Sequence, residues 1–215
     1  NAASPIKIKT IKTPRARGVA ISGAILYVAA SDSGVGLIDI SDPTNASLIS
    51  YTGNSVYGEN ITANGNIVGL TDYGQITFYD ATTPTALVKK GSTGSLKIGN
   101  EGFAIDGTFA YVPDGDSLKI FNIADLMTPT LVSKIWTRID SYGYTSAVAG
   151  NYCYVASEKT GVRAINISNP AVPIEDGYYD FVAQSRGVTA DGKYVYVAEK
   201  ADGLTIYSND LVTSI

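Results

Sequence analysis

Ala149-Gly150-Asn151-Tyr152-Cys153-Tyr154-Val155-Ala156 joins a turn glycine to a short apolar run rich in tyrosine and valine, and the phrase returns four more times. Ser22-Gly23 precedes Ile25 to Ala29, Asn64-Gly65 precedes Ile67 to Thr71, Asp106-Gly107 precedes Phe109 to Pro113, and Asp191-Gly192 precedes Tyr194 to Ala198. The glycines at 23, 65, 107, 150 and 192 are spaced by 42, 42, 43 and 42 residues. A period in the low forties, whose unit reads as several short strands, predicts an all-β fold, a β-propeller with one blade per repeat. A blade of this size buries its faces only against neighbouring blades, so the five units predict a single domain over residues 1–215.

Working outward from the repeated phrase, Gly, Pro, Asn and Asp punctuate short strands at even spacing, as hairpin chemistry requires. They predict four-stranded antiparallel blades at about 17–53, 58–91, 101–137 and 144–180, with a fifth at 186–209. The fifth has room for three strands before Leu211 to Ile215. The alternating stretch Pro5-Ile-Lys-Ile-Lys-Thr10 reads as a half-exposed strand. Residues 5–11 are therefore expected to complete the last blade as its outer strand, a clasp that covers a sheet edge.

Four residues after each turn glycine stand Tyr27, Tyr111, Tyr154 and Tyr196, with Gly69 in the second unit. A repeated aromatic inside an apolar strand reads as core packing. Asp39, Asp80, Asn122, Asn166 and Ser208 end the third strands, and prolines follow at 43, 84, 129 and 170. Short polar side chains there bond the backbone of the next turn, so they read as turn formers and not as ligands.

The composition narrows the chemistry. The chain has no histidine and one cysteine, Cys153, inside an apolar strand. Zinc and copper sites and Ser-His-Asp or Cys-His catalysis each lose a required group, and no cofactor is expected. Cys153 reads as a small buried hydrophobe. Sixteen basic against 20 acidic residues give a net charge of −4 without a basic block, so nucleic acid is not expected as a partner. No stretch approaches a membrane span, and Asn1-Ala-Ala-Ser-Pro5 reads as neither a signal peptide nor an anchor, although it fits what a removed one leaves. A surface vocabulary of Ser, Thr, Asn, Gly and Tyr with 17% charged residues points to an extracellular or cell-surface setting. Asn45, Asn60 and Asn166 lie in Asn-x-Ser/Thr triplets. They would accept glycans only on a secreted chain in an organism that glycosylates, and Asn166 reads as structural.

In a propeller the residues six before each turn glycine meet at one mouth of the axis: Arg17, Glu59, Glu101, Tyr144 and Arg186. Seven after the glycines the same face gains Asp72, Asp114 and Glu199 beside Ala30 and Ser157, and the feeding loops bring Tyr51, Tyr57, Tyr142, Phe181 and Gln184. These residues suit an ion-pair network, or a small polar ligand or glycan held by arginines and stacked on tyrosines. Glu59 and Glu101 would also serve as the acid and base of a glycoside hydrolase if a gap of about 6–9 Å separated them. The arginines of the same ring oppose that use, because an acid catalyst must keep its proton. Asp114-Gly115-Asp116 lacks the remaining positions of a calcium loop and reads as a hairpin turn.

Gly36-Leu-Ile-Asp-Ile-Ser-Asp-Pro-Thr-Asn45, Ala164-Ile-Asn-Ile-Ser-Asn-Pro170 and Asn151-Tyr-Cys-Tyr-Val-Ala156 resemble the LVIVD repeat family, propeller repeats of bacterial and archaeal surface proteins. The resemblance covers all five units, and the second departs most, through Gly69 and the strand Gln75 to Asp80. It implies a propeller, export and interaction duty, and it brings no catalytic motif. The expected function is a non-catalytic binding or assembly module that meets a protein, a carbohydrate or its own copy through the channel-mouth face or the outer surface. The alternative is a carbohydrate-active enzyme or a lectin at the same mouth.

Overall fold

The computed structural model describes residues 6–53, 57–98, 102–136, 143–157, 160–179, 184–200 and 203–208. The first blade holds β1 (Gly18–Ser22), β2 (Ile25–Ala29), β3 (Val35–Asp39) and β4 (Ser47–Tyr51). The second holds β5 (Gly58–Asn64), β6 (Ile67–Asp72), β7 (Ile76–Asp80) and β8 (Val88–Ser92), and the third β9 (Ala104–Asp106), β10 (Phe109–Asp114), β11 (Ser117–Asn122) and β12 (Thr130–Trp136). The fourth comprises β13 (Gly143–Ala149), β14 (Tyr152–Ser157), β15 (Gly161–Asn166) and β16 (Ile174–Tyr179). The fifth has β17 (Ser185–Ala190), β18 (Tyr194–Glu199) and β19 (Gly203–Ser208). Strands pair in chain order within each sheet, so the fold is a five-bladed β-propeller of four-stranded antiparallel blades with three strands in the last. The chain forms two compact units, residues 1–90 and 91–215.

The repeated turn works as its chemistry demands. Gly23, Gly65, Gly107, Gly150 and Gly192 all take positive φ, from 53° to 88°, a region that is open to glycine and costly for residues with a Cβ. At the other end of the hairpin, Asp39 accepts the Ser41 N–H at 2.8 Å and Asp80 accepts that of Thr82 at 2.9 Å. Asn122 accepts the Ala124 N–H at 2.9 Å and Asn166 accepts that of Ser168 at 3.0 Å. The turn formers expected from sequence therefore satisfy backbone donors that the strand ladder leaves behind.

Within each unit, the core lies between blades. In the first unit, Tyr27, Ala29, Val35 and Leu37 on one face of blade one meet Ile61, Val68, Leu70 and Tyr79 of blade two. In the second unit, Tyr111, Leu118 and Ile120 of blade three meet Cys153, Val155 and Ile165 of blade four. Tyr154, Val162 and Ala164 of blade four likewise meet Val195 and Val197 of blade five. A blade thus offers a front face to its successor and a back face to its predecessor, which explains why β2 and β3 are apolar on both sides. Each fully buried Val, Leu, Ile or Phe contributes about 1.5–3 kcal/mol. In blade two, which lacks the tyrosine, fully buried Phe78 pairs directly with Gly69, so the aromatic has moved one strand over. Cys153 is fully buried between β-strands, and burial pushes its thiol well above its ordinary value.

Among the described residues the expected clasp is not formed. Residues 6–13 belong to no strand, and the fifth sheet has three strands. Ile11, out of phase with Ile6 and Ile8, packs with Leu26, Val28, Ile38 and Ile40 on the back face of blade one. A cavity of about 470 Å³ lies between that face and the segment, lined in part by Ile6, Ile8, Val19 and Ala46. Alternation sets which side of a segment is apolar, not which surface receives it. Here Ile11 is half-buried against the back face of the first blade, while Ile6 and Ile8 stay 82% and 60% exposed.

Two outcomes follow for stability. Hydrogen bonds from the Ser41 backbone and side chain hold Asp39 below its ordinary pKa, and those from the Thr82 side chain and backbone do the same for Asp80. A lowered folded-state value adds stability that is present above the unfolded pKa of about 4 and is lost as pH falls through the folded value. Melting followed by circular dichroism should therefore be level near neutrality and decline below about pH 4. Asp39→Asn with Asp80→Asn, copying blades three and four, should flatten that decline; an unaltered acid limb would refute the assignment. Separately, a Cβ at Gly18 would lie 3.1 Å from Asn60 Cα and 3.2 Å from the Glu59 oxygen. Gly18→Val should cost about 1–3 kcal/mol in urea denaturation by forcing β1 from β5.

Candidate functional site

The innermost strands of blades two, four and five carry an irregularity at the same repeat position. Asp72 pairs with Gly58 and Thr71 with Asn60, which leaves Glu59 as the extra residue of a β-bulge. The register likewise skips Tyr144 between Gly143 and Thr145, and Arg186 between Ser185 and Gly187. A bulge turns one side chain away from the pleat. Three of the five residues expected at the mouth from sequence are therefore the ones that their strands expel. The period of the repeat located them, but the bulge itself leaves no mark in the sequence.

In the first unit, Arg17 Nη1 donates to Glu59 Oε2 at 2.7 Å. The Arg17 N–H also bonds Ala29 O at 2.9 Å, which fixes the backbone of the arginine just before β1. Nearby in sequence, Tyr57 and Tyr73 meet edge to face with ring centroids 4.9 Å apart. Both rings are exposed, Tyr73 by 70%. Tyr73 has φ of 48°, a strained choice for a residue with a bulky side chain. It was not among the residues expected from sequence. Its only signal was the Asp72-Tyr73-Gly74 turn between the second and third strands.

In the second unit, the Arg186 guanidinium stands 4.9 Å from the Tyr144 ring centroid, a cation–π contact. The strands beneath are joined by side chains. Ser146 Oγ accepts the Ala104 N–H at 3.0 Å and donates to Tyr111 O at 2.7 Å, and Thr145 Oγ1 accepts the Val188 N–H at 2.9 Å. Gln184 is half-buried and receives the Lys200 N–H on its carbonyl at 2.9 Å. Glu101, Tyr142 and Phe181 lie outside the described residues.

The carboxylates seven residues after the turn glycines point inward. Asp72 is buried and accepts the Tyr57 N–H at 3.2 Å. Asp114 is buried, accepts the Lys97 N–H, and pairs with Lys119 Nζ at 2.5 Å. Glu199 is buried and takes hydrogen bonds from Thr205 Oγ1 at 3.0 Å and the Tyr207 hydroxyl at 3.4 Å. Burial and the Glu199 charge push the Tyr207 phenol up to about 12. In blades one and four the same position is Ala30 and Ser157, both buried. Asp72 and Asp114 hold the loops that feed their innermost strands; around the starts of these strands the first unit offers Arg17, Glu59, Tyr57 and Tyr73, and the second, by itself, offers Tyr144 with Arg186. No group of three or more His, Cys, Asp or Glu suited to a metal occurs among the described residues.

The LVIVD repeat model matches residues 15–52, 101–137, 143–181 and 183–207, more than half of the chain. Blade two, where the sequence departs most from the repeat, is the one left out. None of the curated proteins matches the chain. Among solved structures, a protein from Lactobacillus plantarum aligns over 92% of this chain and 71% of its own, with 16% identity and a TM-score of 0.70. The computationally designed Ika8 protein aligns over 90% of this chain with 14% identity and a TM-score of 0.68, and the chain spans 58% of its length. A chain of a nidogen/laminin complex aligns over 93% of this chain and 78% of its own, with 14% identity and a TM-score of 0.65. These likenesses describe the fold alone.

The buried acids give a direct test. Asp114→Ala should cost about 3 kcal/mol, because it leaves the Lys119 ammonium and the Lys97 N–H without their acceptor. Urea denaturation measures the cost. A loss within the noise of a surface substitution would show that the carboxylate does not hold this loop.

Proposed function

This chain belongs to the LVIVD repeat family, and from that premise we propose that it is a non-catalytic binding module displayed outside the cell. It engages a carbohydrate or a protein surface through the face where the innermost strands begin. The observation that carries the reading is the recurrent bulge, which turns Glu59, Tyr144 and Arg186 out of their strands at one repeat position. Arginine donors and exposed tyrosine rings are the groups that hold polar rings and hydroxyls, the former through paired hydrogen bonds and the latter through their apolar faces. Tyr57 and Tyr73 supply such a surface in the first unit. The sparse charge and the Ser, Thr, Asn and Tyr-rich composition support export.

A hydrolase is less well supported. Glu59 spends an oxygen on Arg17 at 2.7 Å, whereas a general acid must present its carboxyl to the glycosidic oxygen. The nidogen/laminin precedent for assembly extends to fold and no further.

A glycan array read in parallel with a panel of cell-surface proteins tests the proposal. The combination Arg17→Ala, Arg186→Ala, Tyr57→Ala and Tyr73→Ala should weaken any binding seen for the wild type by at least about tenfold. Undiminished binding would move the site off this face. Release of reducing sugar by the wild type, lost in Glu59→Gln, would overturn the non-catalytic reading.

A further inference from the structure

Comparison across the repeat singles out one turn of blade two. Ser31, Tyr73 and Gly115 stand eight residues after their turn glycines and take positive φ of 45°, 48° and 62°. Around Tyr73 and Gly74, Asp72 and Gln75 exchange both backbone hydrogen bonds, at 2.9 and 3.2 Å. With φ of 48° and 74° the two central residues form a type I′ hairpin turn. Asn, Asp or Gly is favoured at its first position, because a Cβ there crowds the backbone. Blade three uses glycine, and blade two places a tyrosine. The Tyr73 ring meets Tyr57 edge to face, and Tyr57 is itself fixed: Asp72 accepts its N–H, and the adjoining Gly58 is bridged to Ser31. Blade three has the same grip, Asp114 on the Lys97 N–H, beside a turn at Gly115 where a Cβ would lie 3.8 Å from Lys97 Cδ. The grip therefore works without an aromatic pair. Blade two is also the blade that the repeat model leaves unmatched.

We propose that Tyr57 and Tyr73 form an aromatic platform for a neutral saccharide with equatorial hydroxyls, such as a β-linked glucan, and that Tyr73 decides this choice. The inference rests on the binding reading above and narrows it to one ligand class. Every residue of the platform belongs to the first unit. A pyranose with equatorial hydroxyls turns its C–H bonds toward both faces, so it lies flat on an aromatic ring. Only Gly58 separates Tyr57 from Glu59, which keeps their Cα atoms within about 7 Å, and Glu59 brings Arg17 with it at 2.7 Å. Among the described residues, Glu59 Oε1, Arg17 Nη2 and both tyrosine hydroxyls have no hydrogen-bond partner. They set donors and an acceptor beside the rings, and the ion pair leaves the group without net charge. That combination suits the hydroxyls of a neutral sugar better than an anion or a cation. A tyrosine in a turn that disfavours it is stereochemical cost retained where a ring is needed.

Saturation-transfer NMR and titration calorimetry of the full chain with cellotetraose test the proposal. In the wild type, transfer should be strongest at the sugar ring C–H protons. Tyr73→Asn supplies a residue that the turn prefers, so it should melt no lower than the wild type yet bind about tenfold more weakly. Tyr73→Phe keeps the ring and should recover most of the affinity. Undiminished binding in Tyr73→Asn, or a lower melting temperature, would overturn the assignment of Tyr73, while a loss in Arg17→Ala would leave the broader binding reading standing. No transfer to cellotetraose, with a protein or an acidic glycan bound instead, would overturn the saccharide class alone. Silence of every probe would overturn both.

Discussion

Packing of one blade's front face on the next blade's back face is the constraint from which the rest of this structure follows. A sheet of three or four strands of three to seven residues cannot shield its own apolar side chains. Tyr27, Val35 and Leu37 are therefore buried by side chains some forty residues further along, such as Ile61 and Leu70. The same dependence keeps most of β2, β3 and their equivalents apolar, with Thr77, Lys119 and buried Arg163 as exceptions inside third strands.

That division of labour explains why one repeat position can be structural in its entirety while a neighbouring one is not. The position after the second strand holds Ala30, Asp72, Asp114, Ser157 and Glu199, all of them buried. Where it is acidic, the carboxylate takes up donors that would otherwise be stranded: Tyr57 N–H at Asp72 and the Lys119 ammonium at Asp114. The second residue of β5, β13 and β17 behaves differently, because a bulge needs no ladder partner for its extra residue and releases that side chain. Glu59 in the first unit therefore pairs with Arg17, and Tyr144 in the second stacks with Arg186.

Particular residues show how far the reading of the chain reached. The turn glycines, the aromatic after them and the Asx residues at the ends of third strands were legible because each depends on local stereochemistry or on burial repeated at a fixed period. The replacement of tyrosine by Gly69 was visible, but its compensation by Phe78 was not, since cross-strand pairing joins residues nine apart in the sequence. The strand-like alternation of residues 6–11 was legible too. Its destination was not, because alternation sets which side of a segment is apolar and not which surface receives it. The bulges left no pattern, and Tyr57 was placed on its loop while its edge-to-face partner Tyr73 was marked only by the Asp72-Tyr73-Gly74 turn.

Five repeats, their strand order and the residues on their buried faces were determined by the sequence alone, because period, turn stereochemistry and hydrophobic burial act over short spans and add up in register. Only tertiary structure decided where Ile11 went, which carboxylates were consumed by loops, and which side chains were expelled at the bulges. Those outcomes depend on donors, acceptors and apolar faces that come together only after distant parts of the chain have packed.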